Sequence, residues 1–146
     1  DIDWQNIFSK YPNLIIEVTD LLDEEIIRLM DNIGKALFKL GNALLVIDEA
    51  HQFFERFHYS EELARLFRGG RKYYIDIMLI TQMVVDLGLV ARKQANILVS
   101  FQLTEKNDVE MVSRYFDIDE EELANLRDYK FILKNLRTGE QVLDKL

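Results

Sequence analysis

Residues 43–51 read Ala43-Leu-Leu-Val-Ile-Asp-Glu-Ala-His51. The four apolar residues Leu44 to Ile47 have the length and composition expected of a strand buried on both faces of a parallel sheet. Asp48 and Glu49 follow directly. Burying charge is costly, so this pair is expected at the strand's open carboxyl end, where open α/β sheets bind their ligands. Nucleotide hydrolases need such a pair. One carboxylate holds Mg²⁺, directly or through water, and the other orients or deprotonates the attacking water. An apolar run closed by Asp-Glu also fits a plain strand ending in a solvated acidic turn, so the surrounding chain has to decide.

Upstream, Asp23–Leu40 is the clearest helix, with Ile26, Met30, Ile33, Leu37 and Leu40 on one face. Acidic residues crowd its first turn, Lys35 and Lys39 sit late, and Gly41 is a natural stop. Leu14–Val18 reads as a strand, with Thr19 and Asp20 as candidate caps for the helix that follows. Strand, helix and the Ala43–Ile47 strand then predict a βαβ unit with a parallel pair. Before it, Trp4, Ile7, Phe8 and Tyr11 have helical spacing.

Downstream, His51, Phe53, Phe54, Phe57, His58 and Tyr59 form an aromatic-rich segment suited to packing or an interface. His51 is a candidate phosphate contact or relay from the carboxylates, and equally a satisfied structural histidine. Ser60 caps a second helix that carries Leu63, Leu66 and Phe67. Arg65, Arg68, Arg71 and Lys72 make the one dense basic cluster, broken by Gly69-Gly70. Arginine forks suit phosphate contact, although a solvated basic face is an equally ordinary use of them. Tyr74 to Thr81 is the next strand. Its polar end, Thr81-Gln82, is expected on the same rim as Asp48 and Glu49, where Gln82 can address a γ-phosphate or the attacking water. Met83–Arg92 reads as a short helix or loop, and Ile97–Phe101 as a strand. Asp108–Phe116 and Glu120–Leu126 are helices, the second capped by Asp119 with Glu122 in the capping-box position. Lys130–Leu136 and Gln141–Leu146 alternate around Thr138-Gly139, a hairpin signal.

At 146 residues, with 49% apolar and 30% charged composition, the chain is expected to form a single domain with a useful core. No apolar run approaches the roughly 20 residues of a membrane span, and no signal peptide is evident. With no cysteine and two histidines, disulfides and thiolate zinc sites are excluded. A cytoplasmic setting is the simplest expectation. The net charge of −8 argues against generic nucleic-acid binding, so any DNA contact requires a local basic patch.

Taken together, these pieces resemble the HerA/FtsK group of P-loop motor ATPases, the ring-forming DNA translocases. Leu44-Leu-Val-Ile-Asp-Glu-Ala-His51 looks like their Walker B strand. Leu66-Phe-Arg-Gly-Gly-Arg-Lys72 looks like their Arg-x-Gly-Arg-Lys segment, and Ile75-Asp-Ile-Met-Leu-Ile-Thr-Gln82 like the next strand with its polar sensor end. Asn96-Ile-Leu-Val-Ser-Phe-Gln102 looks like their final core strand. The resemblance covers about residues 14–116. It implies a RecA-like α/β core, mostly parallel, flanked by helices and followed here by a C-terminal hairpin. It implies ATP and Mg²⁺ as ligands, with Asp48 holding Mg²⁺ through its water shell and Glu49 activating water. Thr81 and Gln82 would lie at the γ-phosphate, and Arg68 or Arg71 would reach a neighbouring subunit's nucleotide as a finger. DNA as partner and a homo-oligomeric, hexameric ring follow from the family alone.

The chain carries no Gly-x-x-x-x-Gly-Lys-Ser/Thr loop, the element that cradles phosphates. In the family fold the strand before that loop lies between the strand ending at Gln82 and Ile97–Phe101, so a gap with unpaired edges is expected there. Residues 1–146 are therefore expected to be the C-terminal part of a longer protein, a partial RecA-like domain without ATPase activity of its own. Two alternatives remain: a fragment of a DEAH-box helicase, since Asp48-Glu-Ala-His51 spells that box, and a non-enzymatic assembly module with a degenerate site. The stretch Met83–Lys93, with Arg92 and Lys93, is a candidate DNA-facing segment.

Overall fold

The computed structural model describes residues 2–18, 20–53 and 60–146. Helix α1 (Trp4–Lys10) is capped by the Asp3 carboxylate, which accepts from the Asn6 amide at 3.1 Å. Helix α2 (Asp23–Leu40) has the boundaries its periodicity predicts, with Met30, Ile33 and Leu37 buried. Its start differs from expectation. Leu22 is the N-cap residue, and its amide donates to the Glu25 carboxylate at 2.9 Å. Asp20 is not the cap, and Thr19 lies outside the described residues. Gly41 ends the helix at φ 63°, where a β-carbon would lie 2.9 Å from the Tyr73 carbonyl oxygen.

The expected strand at Leu14–Val18 does not form, and Ile15 is 96% exposed. Strand preference is realised only against a neighbouring strand, and among the described residues none pairs with this segment. Ile16 alone packs against the helical core. The βαβ unit forms one step later, as strand β1 (Ala43–Ile47), helix α3 (Glu61–Gly69) and strand β2 (Ile75–Leu79). The strands run parallel, in register from Ala43↔Ile75 to Ile47↔Leu79.

Helices α2 and α3 close over one face of this pair. Ile33, Leu37, Ile47, Leu63, Leu66 and Ile75 share one core cluster. The α2–α3 contact is close because Gly34 has no side chain: a β-carbon there would meet the Glu62 β-carbon at 2.9 Å and its carbonyl carbon at 3.3 Å. Asp31 reinforces the contact by accepting from the Ser60 hydroxyl and from the Glu62 amide, while the Ser60 oxygen caps α3 through the Leu63 amide. The opposite face of the strands is uncovered. Leu44 is 63% and Val46 49% exposed, so β1 is buried on one face, not on the two that its apolar run predicts. A continuous apolar run cannot show which face a helix layer will take.

The chain continues through helix α4 (Leu89–Gln94), strand β3 (Ile97–Ser100), helix α5 (Lys106–Phe116), helix α6 (Glu120–Ala124) and strands β4 (Lys130–Asn135) and β5 (Gln141–Lys145). The last two strands form the expected antiparallel hairpin, and β3 pairs antiparallel with β4. Asn135 shapes the turn by accepting from the Arg137 and Thr138 amides, and Gly139 supplies φ 77°. Asp119 stands at the N-cap of α6, but its side chain makes no cap hydrogen bond. Val109, Val112, Phe116, Leu123, Leu126 and Ile132 build a second core cluster here.

The described strands form a parallel sheet, β1-β2, and a separate sheet, β3-β4-β5. The break falls between the strand leading to Gln82 and the strand starting at Ile97, where the missing strand was expected. The segment between them ties the halves together. Val84 packs on the second cluster, while Leu87 and Ala91 belong to the first. The buried Asp108 of α5 accepts from the Val85 amide at 2.8 Å. Arg92, in the candidate DNA-facing stretch, donates to the Leu87 carbonyl at 2.8 Å and contacts the Met111 sulfur at 2.9 Å.

Gly34→Val should destabilise the protein by about 1–3 kcal/mol, because the α2–α3 contact has no room for it. Gly69→Ala, with nothing within 4 Å of its β-carbon, should fall within about 0.5 kcal/mol of wild type in the same urea titration. The isolated polypeptide 1–146, with its uncovered apolar face and free strand edges, should bind anilinonaphthalene sulfonate and scatter light as it self-associates. A monodisperse, dye-silent monomer would contradict this.

Candidate functional site

The parallel ladder runs past the ends of β1 and β2. The Ile80 amide donates to the Ile47 carbonyl at 2.9 Å, and the Ala50 amide to the Ile80 carbonyl at 2.8 Å. Asp48 and Glu49 must therefore turn within the space between two ladder bonds, with Ala50 completely buried behind them. Glu49 takes up the turn in a left-handed conformation, φ 47°, ψ 46°. For a non-glycine residue this costs roughly 1–2 kcal/mol. Such strain is found where side-chain placement matters more than backbone comfort.

The turn aims both acids outward at the carboxyl rim, as expected. Asp48 is exposed, and its Oδ1 accepts from the Glu49 amide at 2.9 Å. The Glu49 carboxylate is held from the neighbouring strand: Gln82 Nε2 donates to Oε1 at 3.1 Å. Its Oε2 lies 3.5 Å from His51 Nδ1. His51 Nδ1 is in turn 3.1 Å from Thr81 Oγ1, which also accepts from the Met83 amide at 3.1 Å. The structure thus brings Asp48, Glu49, Thr81 and Gln82 to one rim. His51, read from the sequence as a candidate relay or a structural histidine, joins them there.

Arg68 and Arg71 are not part of this rim. Both are exposed and flank the amino end of β2, while the acids stand past the carboxyl ends. The five-residue strand between them spans roughly 17 Å. A crossover helix returns the chain to the opposite end of the sheet, so neither arginine stands beside this chain's own acids. Arg65 is occupied locally: it donates to both Glu62 oxygens at 2.6 and 2.8 Å and lies 5.0 Å over the Phe38 ring. Phe54, Phe57, His58 and Tyr59 lie outside the described residues.

Among the described residues no group of three or more metal-ligating side chains exists. The donor set fits Mg²⁺ only in the way Mg²⁺ is often held, by one carboxylate with water and substrate phosphates completing the octahedron. Asp48 has the exposure for that role. No lysine-bearing glycine-rich loop is available for the phosphates themselves.

The family described as Zonular occludens toxin (Zot) matches residues 5–141. The chain belongs to the Zot family. No curated protein matches it. Among solved structures, the Zot-family chain is similar to the genome packaging NTPase B204 from Sulfolobus turreted icosahedral virus 2 in complex with ATP-γS. The TM-score is 0.78 at 21% identity, over 97% of this chain and 70% of that one. It is also similar to B204, the DNA-packaging ATPase from Sulfolobus turreted icosahedral virus. There the TM-score is 0.72 at 23% identity, over 94% of this chain and 75% of that one. At these identities the likeness is one of fold, and the fold is that of a P-loop NTPase.

Glu49→Gly and Glu49→Ala both remove the carboxylate contacts, but only alanine keeps the left-handed penalty. The glycine variant should be more stable than the alanine variant by about 1 kcal/mol in urea denaturation. Equal stabilities would mean that residue 49 is not left-handed in solution.

Proposed function

We propose that this Zot-family chain is the hydrolytic part of an ATP-driven motor that moves DNA, of the HerA/FtsK kind, working in a homo-oligomeric ring. The observation that carries the proposal is the 3.1 Å contact between Gln82 and Glu49 across the carboxyl ends of two parallel strands, beside the exposed Asp48. Two strand ends converging on one carboxylate are what activation of a water requires. DNA as the object of the motor rests on the fold shared with B204, described as a DNA-packaging ATPase.

In this reading Asp48 would hold Mg²⁺, which would supply charge neutralisation at the phosphates. Glu49 accepts the proton of the attacking water. Gln82, anchored through its amide nitrogen on Glu49, offers its carbonyl oxygen to that water, and Thr81 fixes the strand end that carries it. Arg68 or Arg71, away from its own rim, acts on a neighbouring subunit's nucleotide. The phosphate cradle lies outside these 146 residues, which we assign as one partial RecA-like domain.

In the complete protein, Glu49→Gln should lower ATP turnover by roughly 10²–10⁴-fold while nucleotide is still bound. Asp48→Ala should abolish the Mg²⁺ dependence of nucleotide binding, measured by calorimetry with and without the ion. DNA should stimulate the wild-type rate. Unchanged turnover in both variants would defeat the reading.

A further inference from the structure

We propose that His51 is a positioning residue for Glu49, carrying its proton on Nδ1 and sharing it between the Glu49 carboxylate and the Thr81 hydroxyl. The inference rests on the hydrolytic role of Glu49 stated above. It comes from an inventory of protons around one oxygen.

Thr81 Oγ1 has one proton to donate and can accept two. It accepts from the Met83 amide at 3.1 Å, and the Met83 carbonyl, at 3.3 Å, takes the hydroxyl proton. That leaves an acceptor site on Oγ1 facing His51 Nδ1 at 3.1 Å, and a second acceptor, Glu49 Oε2, at 3.5 Å from the same nitrogen. A proton on Nδ1 satisfies both. With Nδ1 bare, the hydroxyl proton has to turn to the ring and away from Met83. The ring's lone pair then faces a carboxylate. One assignment leaves no acceptor opposed to an acceptor; the other leaves two such pairs.

The consequence is a carboxylate approached at both oxygens: Gln82 donates to Oε1 at 3.1 Å, and the proposed Nδ1 proton of His51 faces Oε2 from 3.5 Å. Either contact alone lets the group swing about its last torsion. Both together fix its plane, which decides where a water it deprotonates must stand. The His51 side chain is 16% exposed against 39% for Glu49, so the more buried partner supplies the orientation.

The test uses the complete protein. With ¹⁵N-histidine labelling, the signals that vanish in His51→Asn are those of His51 and read the proton directly. A proton on Nδ1 is expected; a bare Nδ1 overturns the proposal. His51→Phe should lower kcat about tenfold, the rate equivalent of one hydrogen bond, with KM unchanged. His51→Asn, whose amide nitrogen stands where Nδ1 was, should restore most of the loss. If His51→Phe turns over normally while Glu49→Gln is dead, the positioning role falls and the hydrolytic reading stands. If Glu49→Gln also turns over normally, both fall. Should His51→Phe not fold, the wild-type spectrum and His51→Asn still decide.

Discussion

Everything at the candidate site depends on one ladder of parallel hydrogen bonds. Because β1 and β2 run the same way in register, the last residues of both strands emerge at one end. An antiparallel pair would have sent Gln82 to the far end of β1. The strain sits in the same ladder: between the two bonds made through Ile80, on either side of the acidic pair, Glu49 is left-handed.

The rim was legible in the sequence because it is local chemistry appended to apolar runs. Each strand announces itself, polar residues mark where it ends, and parallel topology follows from the helix between. The resemblance on the Walker B strand and the strand ending Thr81-Gln82 led to a P-loop NTPase fold, and the structure has that fold. Less legible was whatever depends on a partner. Leu14–Val18 has strand composition but no strand to meet, and Leu44 and Val46 are apolar on a face that nothing described here covers. His51 could not be assigned from its position alone, since its role comes from a hydroxyl thirty residues away.

The arginines teach a related lesson. Basic residues close in sequence to an acidic pair can lie a strand's length from it, because a crossover carries the chain from one rim to the other. Arg65 shows the ordinary use of such a residue, a grip on its own helix and a neighbouring ring.

The bond from the Val85 amide to Asp108 works as a leash. Three peptide units separate Gln82 from Val85, and a fully extended chain of that length reaches about 10–11 Å. While the Asp108 bond holds, the amino end of α5 stays tied to the strand end gripping Glu49 through those three peptide units, the 2.8 Å bond and one aspartate side chain. Any rearrangement that turns the second sheet against the first must either pivot about this short tether or break it.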